Sequence, residues 1–343
     1  MLGIDARAAR CTWTAALIVL FLVLVYILRT TLFVFMLALL FAYFLSPLVS
    51  LIDRFLPASR TRTPALAIAY VILVAALFVG ITQIGGRAVE EANALAKAMP
   101  ALLERLQASA NEQSLNPLRA QILQRVQDLV ARGSGDIIAW LPIAGARLIG
   151  LASNLLYVVV IPILGFFFLR DGRSIRAHLL ASVDQPGRRA MLNELLDDVN
   201  RLLAHYIRAI AMLSLTVFVC YAVFFTILRI PYSILLAAVA GALEFIPMIG
   251  PFGAGCLILI VTIVSGGPVL AALAFLLVYR ILQDYGLSPL LMGKGVQLHP
   301  LAILFGVFAG TKLAGIAGAF LSVLVLALLR IAYLRIRKST MSA

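Results

Sequence analysis

An apolar run from residue 231 to residue 264 is interrupted near its middle by helix-breaking residues. As one straight helix the run would measure roughly 50 Å at 1.5 Å per residue, whereas the hydrocarbon core of a bilayer is about 30 Å thick. Pro247, Gly250 and Pro251 lie at its midpoint. A proline inside a helix removes a backbone donor and clashes with the preceding turn. The run therefore predicts two half-length helices joined by a turn, a hairpin that enters the membrane and returns.

The whole chain has the composition of a membrane protein. Of its 343 residues, 63% are hydrophobic and 13% are charged, and the mean hydropathy is +1.06, whereas soluble domains are about 45–50% apolar and about 25% charged. The net charge of +13 comes from dispersed basic residues that flank apolar runs, as cytoplasmic Lys and Arg do. A basic patch interleaved with aromatic residues, typical of nucleic-acid binding, is not present in the sequence. We therefore predict an all-α polytopic membrane protein that binds no nucleic acid.

A second apolar stretch, 300–334, is also too long for one comfortable straight span, and it contains Lys312 and Gly315 near its middle. If both long stretches re-enter, the chain has about six full transmembrane helices plus two re-entrant hairpins. If both cross the membrane, the chain has eight spans. Either topology places both termini in the cytoplasm, as their basic residues indicate. Lys294, in the connection before the second stretch, favours the cytoplasm and hence the two hairpins.

The alternation of apolar and polar segments predicts five regions. Residues 85–147 have helical periodicity interrupted at Asn116-Pro117, which indicates two amphipathic helices that form either a packing cap or a gating lid. An apolar stripe over residues 192–206 predicts a membrane-surface helix before the fifth span. The regions are three N-terminal transmembrane helices (1–84), an extracytoplasmic amphipathic region (85–147), a fourth transmembrane helix (148–170), a cytoplasmic amphipathic segment (171–208) and a transport core (209–338) with hairpins 231–264 and 300–334.

Four ionisable residues fall within apolar segments, where each costs about 2.5–3.5 kcal/mol unless it has a partner or a wet cavity. They are Glu244, Arg280, Asp284 and Lys312. Arg280 and Asp284 are four residues apart, so on a helix they share a face and can pair. They either neutralise each other for packing, or Asp284 or Glu244 binds a cation, a proton or a polyhydroxylated solute. Lys312 is a candidate counter-ion to Glu244 or a contact for the cargo.

Proline and glycine at the two interruptions are the other candidate site residues: Pro247, Gly250, Pro251 and Gly315. Small residues allow close helix packing in membranes, and exposed backbone at a hairpin tip is the alternative, as a ligand for cargo. His299, which precedes Pro300, is interpreted as a helix cap or an interfacial anchor, with proton relay as the alternative.

Motifs of enzymes and metal sites are missing from the sequence. It contains neither His-Glu-x-x-His nor Gly-x-Ser-x-Gly, and Gly293-Lys294 lacks the rest of a P-loop. The three cysteines, Cys11, Cys220 and Cys256, have no metal-ligand spacing. We therefore predict no enzymatic activity, no cofactor and no metal.

The C-terminal half resembles the autoinducer-2 exporter (PerM-like permease) family. The motifs that carry the resemblance are Glu244-Phe-Ile-Pro-Met-Ile-Gly-Pro251, Gln283-Asp284 leading to Pro289, Gly293-Lys294, His299-Pro300 and Gly315-Ile-Ala-Gly318. The resemblance implies an inner-membrane homo-oligomer, a pentamer, whose protomers each use two helical hairpins in an elevator-like movement. Members are associated with export of autoinducer-2, and some with sodium or lithium/proton exchange. Met248 stands where an aromatic residue is often found.

These features together predict a secondary transporter of the bacterial inner membrane. Broken helices near the bilayer midplane are where transporters bind their substrates. The expected cargo is a small polar solute such as an autoinducer-2-like signal. Two alternatives remain: a monovalent cation (Na⁺ or Li⁺)/proton antiporter, and a non-transporting membrane scaffold.

Overall fold

The computed structural model describes residues 6–55, 63–111, 155–292 and 298–341, and these ranges are helical with no strand. The prediction of an all-α polytopic membrane protein is confirmed. The helices are α1 (Ala6–Ile27), α2 (Arg29–Phe55), α3 (Thr63–Gly80), α4 (Gly86–Asn111), α5 (Leu155–Ala181), α6 (Pro186–Ile227), α7 (Ser233–Leu243), α8 (Ile249–Val264), α9 (Val269–Leu282), α10 (Ser288–Met292) and α11 (Pro300–Met341).

Five stretches within the described residues are long and apolar enough to cross a membrane. They are Arg29–Phe55, Thr63–Leu95, Pro186–Ile227, Val269–Leu291 and Gly318–Arg335, and shorter apolar helices are Thr12–Ile27, Ser233–Leu243, Ile249–Val264 and Pro300–Gly315. Two of the five long stretches, Arg29–Phe55 and Thr63–Leu95, lie in or extend the region predicted to hold three N-terminal transmembrane helices, and Pro186–Ile227 includes the predicted fifth span. The fifth, Gly318–Arg335, is one limb of the second interrupted stretch.

The first interrupted stretch forms a helical hairpin, which we call hairpin 1 (α7 and α8). At its open end, a Cβ built on Gly267 would lie 3.8 Å from Cδ of Pro231, so the end of the second limb is next to the start of the first. The helix ends at Leu243 and resumes at Ile249. The predicted break is present, but Gly250 and Pro251 lie in the first turn of α8. A proline is tolerated there because the first amides of a helix lack intrahelical acceptors.

The second interrupted stretch, hairpin 2, is α11 folded back on itself. Its backbone leaves the helical region at Ala314 (φ −143°, ψ 23°) and Gly315 (φ 63°, ψ −147°). A Cβ on Gly310 would lie 2.2 Å from the carbonyl oxygen of Gly318. Residues eight positions apart on a straight helix would be about 12 Å apart. The two limbs therefore turn back and touch through glycine backbones.

Three groups of buried side chains hold the helices together. The first joins hairpin 1 to α4, α6 and α9 around Phe225 and Leu236. The second joins α2, α6 and hairpin 2 around Leu324. The third joins α2, α3 and α5 around Leu66. Helix α6 contributes to the first two groups and so connects the hairpins.

Two predicted boundaries differ from the structure. A π-helical turn, Ile81–Gly85, carries α3 directly into α4, and the predicted second amphipathic helix with the break at Asn116-Pro117 lies outside the described residues. The predicted surface helix before the fifth span is the first half of α6, which runs without interruption to Ile227. Its stripe residues Leu203 and Tyr206 are buried against α2 and hairpin 2. An apolar stripe has the same pattern whether it faces lipid or another helix. The sequence therefore cannot show that this segment packs inside the protein and continues into the fifth span.

Candidate functional site

The end of the first limb of hairpin 1 places a carboxylate inside the protein. Glu244 is the residue that follows α7, and only 8% of its surface is exposed. Its Oε1 accepts a hydrogen bond from Nε2 of Gln283, which is 3% exposed. Gln283 begins the π-helical turn Gln283–Leu287 that continues α9. The pair therefore links the tip of hairpin 1 to the neighbouring span.

Gln283 was not among the predicted site residues, although it lies in a motif with Asp284. A π-helical turn shifts the side-chain positions on a helix, and such turns are frequent at functional sites. Sequence periodicity gives no signal for one extra residue in a turn. Charge within an apolar segment therefore identifies Asp284 but not the neutral residue next to it, which contacts Glu244.

Arg280 and Asp284 form the predicted pair across one helical turn. Nε of Arg280 lies 2.8 Å from Oδ2 of Asp284, and the two side chains are 41% and 45% exposed. The pair is therefore half-exposed, whereas Glu244 and Gln283 are buried. The two acidic candidates thus occupy different environments.

Helices α6 and α9 pack against each other through aromatic rings, and Gln283 follows α9 directly. The ring centroids of Tyr221 and Tyr279 are 5.0 Å apart, and Phe275 packs edge-on to Tyr221 at 5.2 Å. Tyr279 is four residues before Gln283, on the same face of α9. The Tyr279 hydroxyl is buried and has no hydrogen-bond partner among the described residues. This hydroxyl and the carboxylate–amide pair are polar groups in otherwise apolar surroundings.

The turn of hairpin 1 is compact and strained. Met248 adopts φ 65° and ψ −56°, a backbone conformation that costs a non-glycine residue about 1–3 kcal/mol. A Cβ on Gly250 would lie 1.8 Å from the carbonyl oxygen of Leu243. Gly250 is thus required for close packing, and the half-buried Pro251 follows it. Pro247 contributes a carbonyl that accepts the Ile249 N–H at 2.8 Å.

The tip of hairpin 2 differs from that of hairpin 1. Lys312 and Gly315 are exposed, and Lys312 has no ion pair with any described residue. The structure does not bring Lys312 into contact with Glu244. The hairpins meet instead through Phe245 and Phe320, whose ring centroids are 5.6 Å apart at an interplanar angle of 70°. The His299 Nδ1 accepts the Leu301 N–H at 3.2 Å, as the capping interpretation predicts.

The described residues contain no group of three or more His, Cys, Asp or Glu side chains that could hold a metal ion. The candidate polar groups are the Glu244 carboxylate, the Gln283 amide that binds it and the buried, unpartnered hydroxyl of Tyr279. They offer hydrogen bonds and a single negative charge to a small ligand.

Comparison with known proteins agrees with a membrane carrier. Residues 16–338 match the family model described as AI-2E family transporter. A transport protein of Methanothermobacter thermautotrophicus, so named provisionally, is 27% identical over 88% of this chain and 86% of its own length. The provisionally named transport protein YueF of Bacillus subtilis is 23% identical over 86% of this chain and 81% of its own.

Two shorter matches are also to proteins named for transport. The provisionally named transport protein YrrI of Bacillus subtilis is 30% identical over 186 residues, 53% of this chain and 52% of its own. The provisionally named permease PerM of Escherichia coli K12 is 26% identical over 52% of this chain and 51% of its own. These two matches span about half of each relative, whereas the family match runs through both hairpins. The chain belongs to the AI-2E transporter family.

Proposed function

We propose that this chain is a secondary transporter that moves a small polar solute, such as an autoinducer-2-like signal, through a site at the tip of hairpin 1. The supporting observation is the burial of Glu244 beside the neutral Gln283. A buried carboxylate with one neutral partner needs a further interaction, because burying a charge is costly unless it is paired and hydrogen-bonded. A proton, a cation or a solute hydroxyl supplies that interaction.

The same groups suit a hydroxyl-bearing solute. Carboxylate oxygens accept hydrogen bonds, amides both donate and accept them, and a tyrosine hydroxyl does both. Glu244, Gln283 and Tyr279 provide these functions next to a wall of aromatic rings. In this proposal Glu244 contacts the cargo, while Pro247, Gly250 and Pro251 form the turn that holds it. Arg280, Asp284, Lys312 and Gly315 belong to the path by which the solute reaches and leaves the tip.

An elevator-like movement accompanies this proposal, as the family resemblance implies. The packing supports a division into a body and a scaffold. Hairpin 1 shares one buried cluster with α4, α6 and α9, whereas α2, α3 and α5 share another. The cluster around Phe225 and Leu236 is the candidate moving body, and the cluster around Leu66 is the candidate scaffold. The cluster around Leu324, which joins α2 to α6 and hairpin 2, is then the candidate interface between them.

A monovalent cation/proton antiporter is the second candidate, and the neutral partner of Glu244 favours it specifically. A carboxylate that alternates between a proton and Na⁺ or Li⁺ remains neutralised in both states. In that case Glu244 is the exchange site, and Asp284, which is already paired with Arg280, is secondary to it.

Proteoliposomes containing the purified protein separate these functions. One assay measures efflux of autoinducer-2, and the other measures dissipation of a pH gradient on addition of NaCl or LiCl with no organic solute present. We expect Glu244→Gln to reduce the relevant flux by at least about tenfold, the factor for roughly 1.4 kcal/mol, and Lys312→Met to reduce it less. Unchanged flux in both variants contradicts the proposed site. Absence of both fluxes in the native protein favours a non-transporting scaffold.

We propose further that the protein lies in a bacterial inner membrane with both termini in the cytoplasm, residues 85–147 outside and residues 171–208 inside. The basic residues near the termini support this orientation. A homo-oligomer, a pentamer by family resemblance, is part of the proposal. The side chains of α1 from Thr12 to Ile27 that the structure describes are exposed in the protomer, which leaves an apolar face for lipid or another copy. Native mass spectrometry tests the copy number, and a monomer in mild detergent contradicts it.

A further inference from the structure

The backbone that leads into the first limb of hairpin 1 adopts an unfavourable conformation. Arg229 has φ 52° and Tyr232 has φ 61°, so two non-glycine residues of the entry turn lie in the left-handed region. Such residues persist where the surrounding structure imposes them. Tyr232 is also the residue before the first helical position, and its side chain makes no capping hydrogen bond. The limb therefore lacks a local cap for its first amides.

A residue from a distant helix supplies the missing cap. The Oε2 atom of Glu91 in α4 accepts a hydrogen bond from the backbone N–H of Leu235 at 2.8 Å, across 144 residues of sequence. Leu235 is the third residue of the limb, the position that an N-cap side chain ordinarily serves. The negative charge also lies at the end of the helix where its dipole favours an anion.

Apolar contact reinforces the same docking. Leu95 is one turn beyond Glu91 on α4, is 3% exposed, and belongs to the buried cluster that contains Leu235 and Leu236. Ala92 packs against that cluster. Helix α4 is thus attached to the base of hairpin 1 by one charged hydrogen bond and one buried face. At the start of hairpin 2 the acceptor shown among the described residues is local, since His299 Nδ1 accepts the Leu301 N–H.

We propose that Glu91 is a positioning residue for hairpin 1, and that through it α4 fixes the orientation of the tip. Glu91 and the tip are connected through one short helix. The limb Ser233–Leu243 is a single short helix whose first turn is held by Glu91 and whose end carries Glu244. The consequence for transport rests on the proposed function of Glu244, but the positioning itself does not. Helix α4 accordingly travels with hairpin 1 as one body.

Hydrogen–deuterium exchange of the full chain in lipid nanodiscs tests the inference without a transported solute. We expect Glu91→Ala to accelerate amide exchange in peptides covering residues 231–243 by about fivefold, the typical effect of removing an N-cap acceptor, because exchange reports the local opening equilibrium. Glu91→Gln retains an acceptor oxygen and should restore most of the protection. Glu90→Ala, at the exposed neighbouring position, is the matched control and should have no effect.

Hairpin 2 serves as the internal reference that separates a local effect on hairpin 1 from a general loss of the fold. Peptides covering residues 300–320 should exchange at the native rate in every variant. Unchanged protection of residues 231–243 in Glu91→Ala overturns the inference, and so does an equal acceleration in both hairpins, which would indicate general loss of the fold. If the Glu91 effect is present while Glu244→Gln transports normally, the positioning role stands and only the proposed transport site fails.

Discussion

The two hairpins use the same interruption of an apolar stretch and reach opposite results at their tips. In hairpin 1 the break spans Glu244 to Met248 and directs a carboxylate into the protein, where Gln283 binds it. In hairpin 2 the break is confined to Ala314 and Gly315, and Lys312 is exposed. Of the two charges near a helix break, only the one whose partner comes from a neighbouring element is therefore buried.

The hairpins are also held differently at their starting ends. The first helix of hairpin 1 is capped by Glu91 from α4, whereas hairpin 2 is capped by its own His299. Hairpin 1 therefore depends on long-range contacts at its base and its tip. In hairpin 2 the two limbs touch through Gly310 and Gly318, and the second limb packs against α2 and α6.

The strongest effect is expected at the turn of hairpin 1. Because a Cβ on Gly250 would lie 1.8 Å from the Leu243 carbonyl oxygen, Gly250→Ala should destabilise the protein by about 3 kcal/mol or more. Gly253→Ala is the control, since a Cβ there would have no described atom within 4 Å apart from its own helix backbone and chain neighbours. The melting temperatures of both variants can be measured in detergent, with size-exclusion chromatography as the readout of folded protein after heating. Equal melting temperatures for the two variants would contradict the close packing of the tip.

The next effect contrasts the buried and exposed polar side chains. Gln283→Leu removes the donor to buried Glu244 and should cost about 1–3 kcal/mol, whereas Lys312→Met should change stability by less than about 0.5 kcal/mol. Thermal unfolding in the same detergent provides the measurement. A larger loss of stability in Lys312→Met than in Gln283→Leu would contradict the burial of Gln283 and the exposure of Lys312.

Contact between the tip of hairpin 1 and the second limb of hairpin 2 predicts a moderate coupling. The edge-to-face pair of Phe245 and Phe320 should give an interaction energy of about 0.5–1.5 kcal/mol in a double-mutant cycle with alanine. The cycle requires Phe245→Ala, Phe320→Ala and the double variant. Strictly additive losses would mean that the hairpins are energetically independent at this point.

A small effect, of the order of that of Lys312→Met, is expected for the ion pair of Arg280 and Asp284. Arg280 and Asp284 are half-exposed, and in the proposed function they line the water-filled path of the solute. Asp284→Asn should therefore lower stability by less than about 1 kcal/mol, and added salt should reduce the difference further. Melting temperatures at low and high NaCl test this. A loss as large as that of Gln283→Leu would show that the pair is as important as the buried one.

Much of this fold follows from the sequence, because segment length and composition are strong constraints in a bilayer. The broken stretches 231–264 and 300–334, the pairing of Arg280 with Asp284 and the capping by His299 could all be predicted from local patterns. Contacts between distant segments could not. Gln283 reaches Glu244 through a π-helical turn, and Glu91 reaches Leu235 across 144 residues. Sequence periodicity indicates neither contact. It also does not indicate that α6 continues through residue 208.

The transport proposal depends most directly on whether both broken stretches return to the side from which they start. Single cysteines at positions 233, 268, 299 and 337, in a chain without Cys11, Cys220 and Cys256, can be labelled with a membrane-impermeant maleimide in intact and permeabilised cells. We predict that positions 233 and 268 react from the outside, and that 299 and 337 react only after permeabilisation. Positions 299 and 337 on opposite sides of the membrane would contradict a re-entrant hairpin 2 and the site built on it.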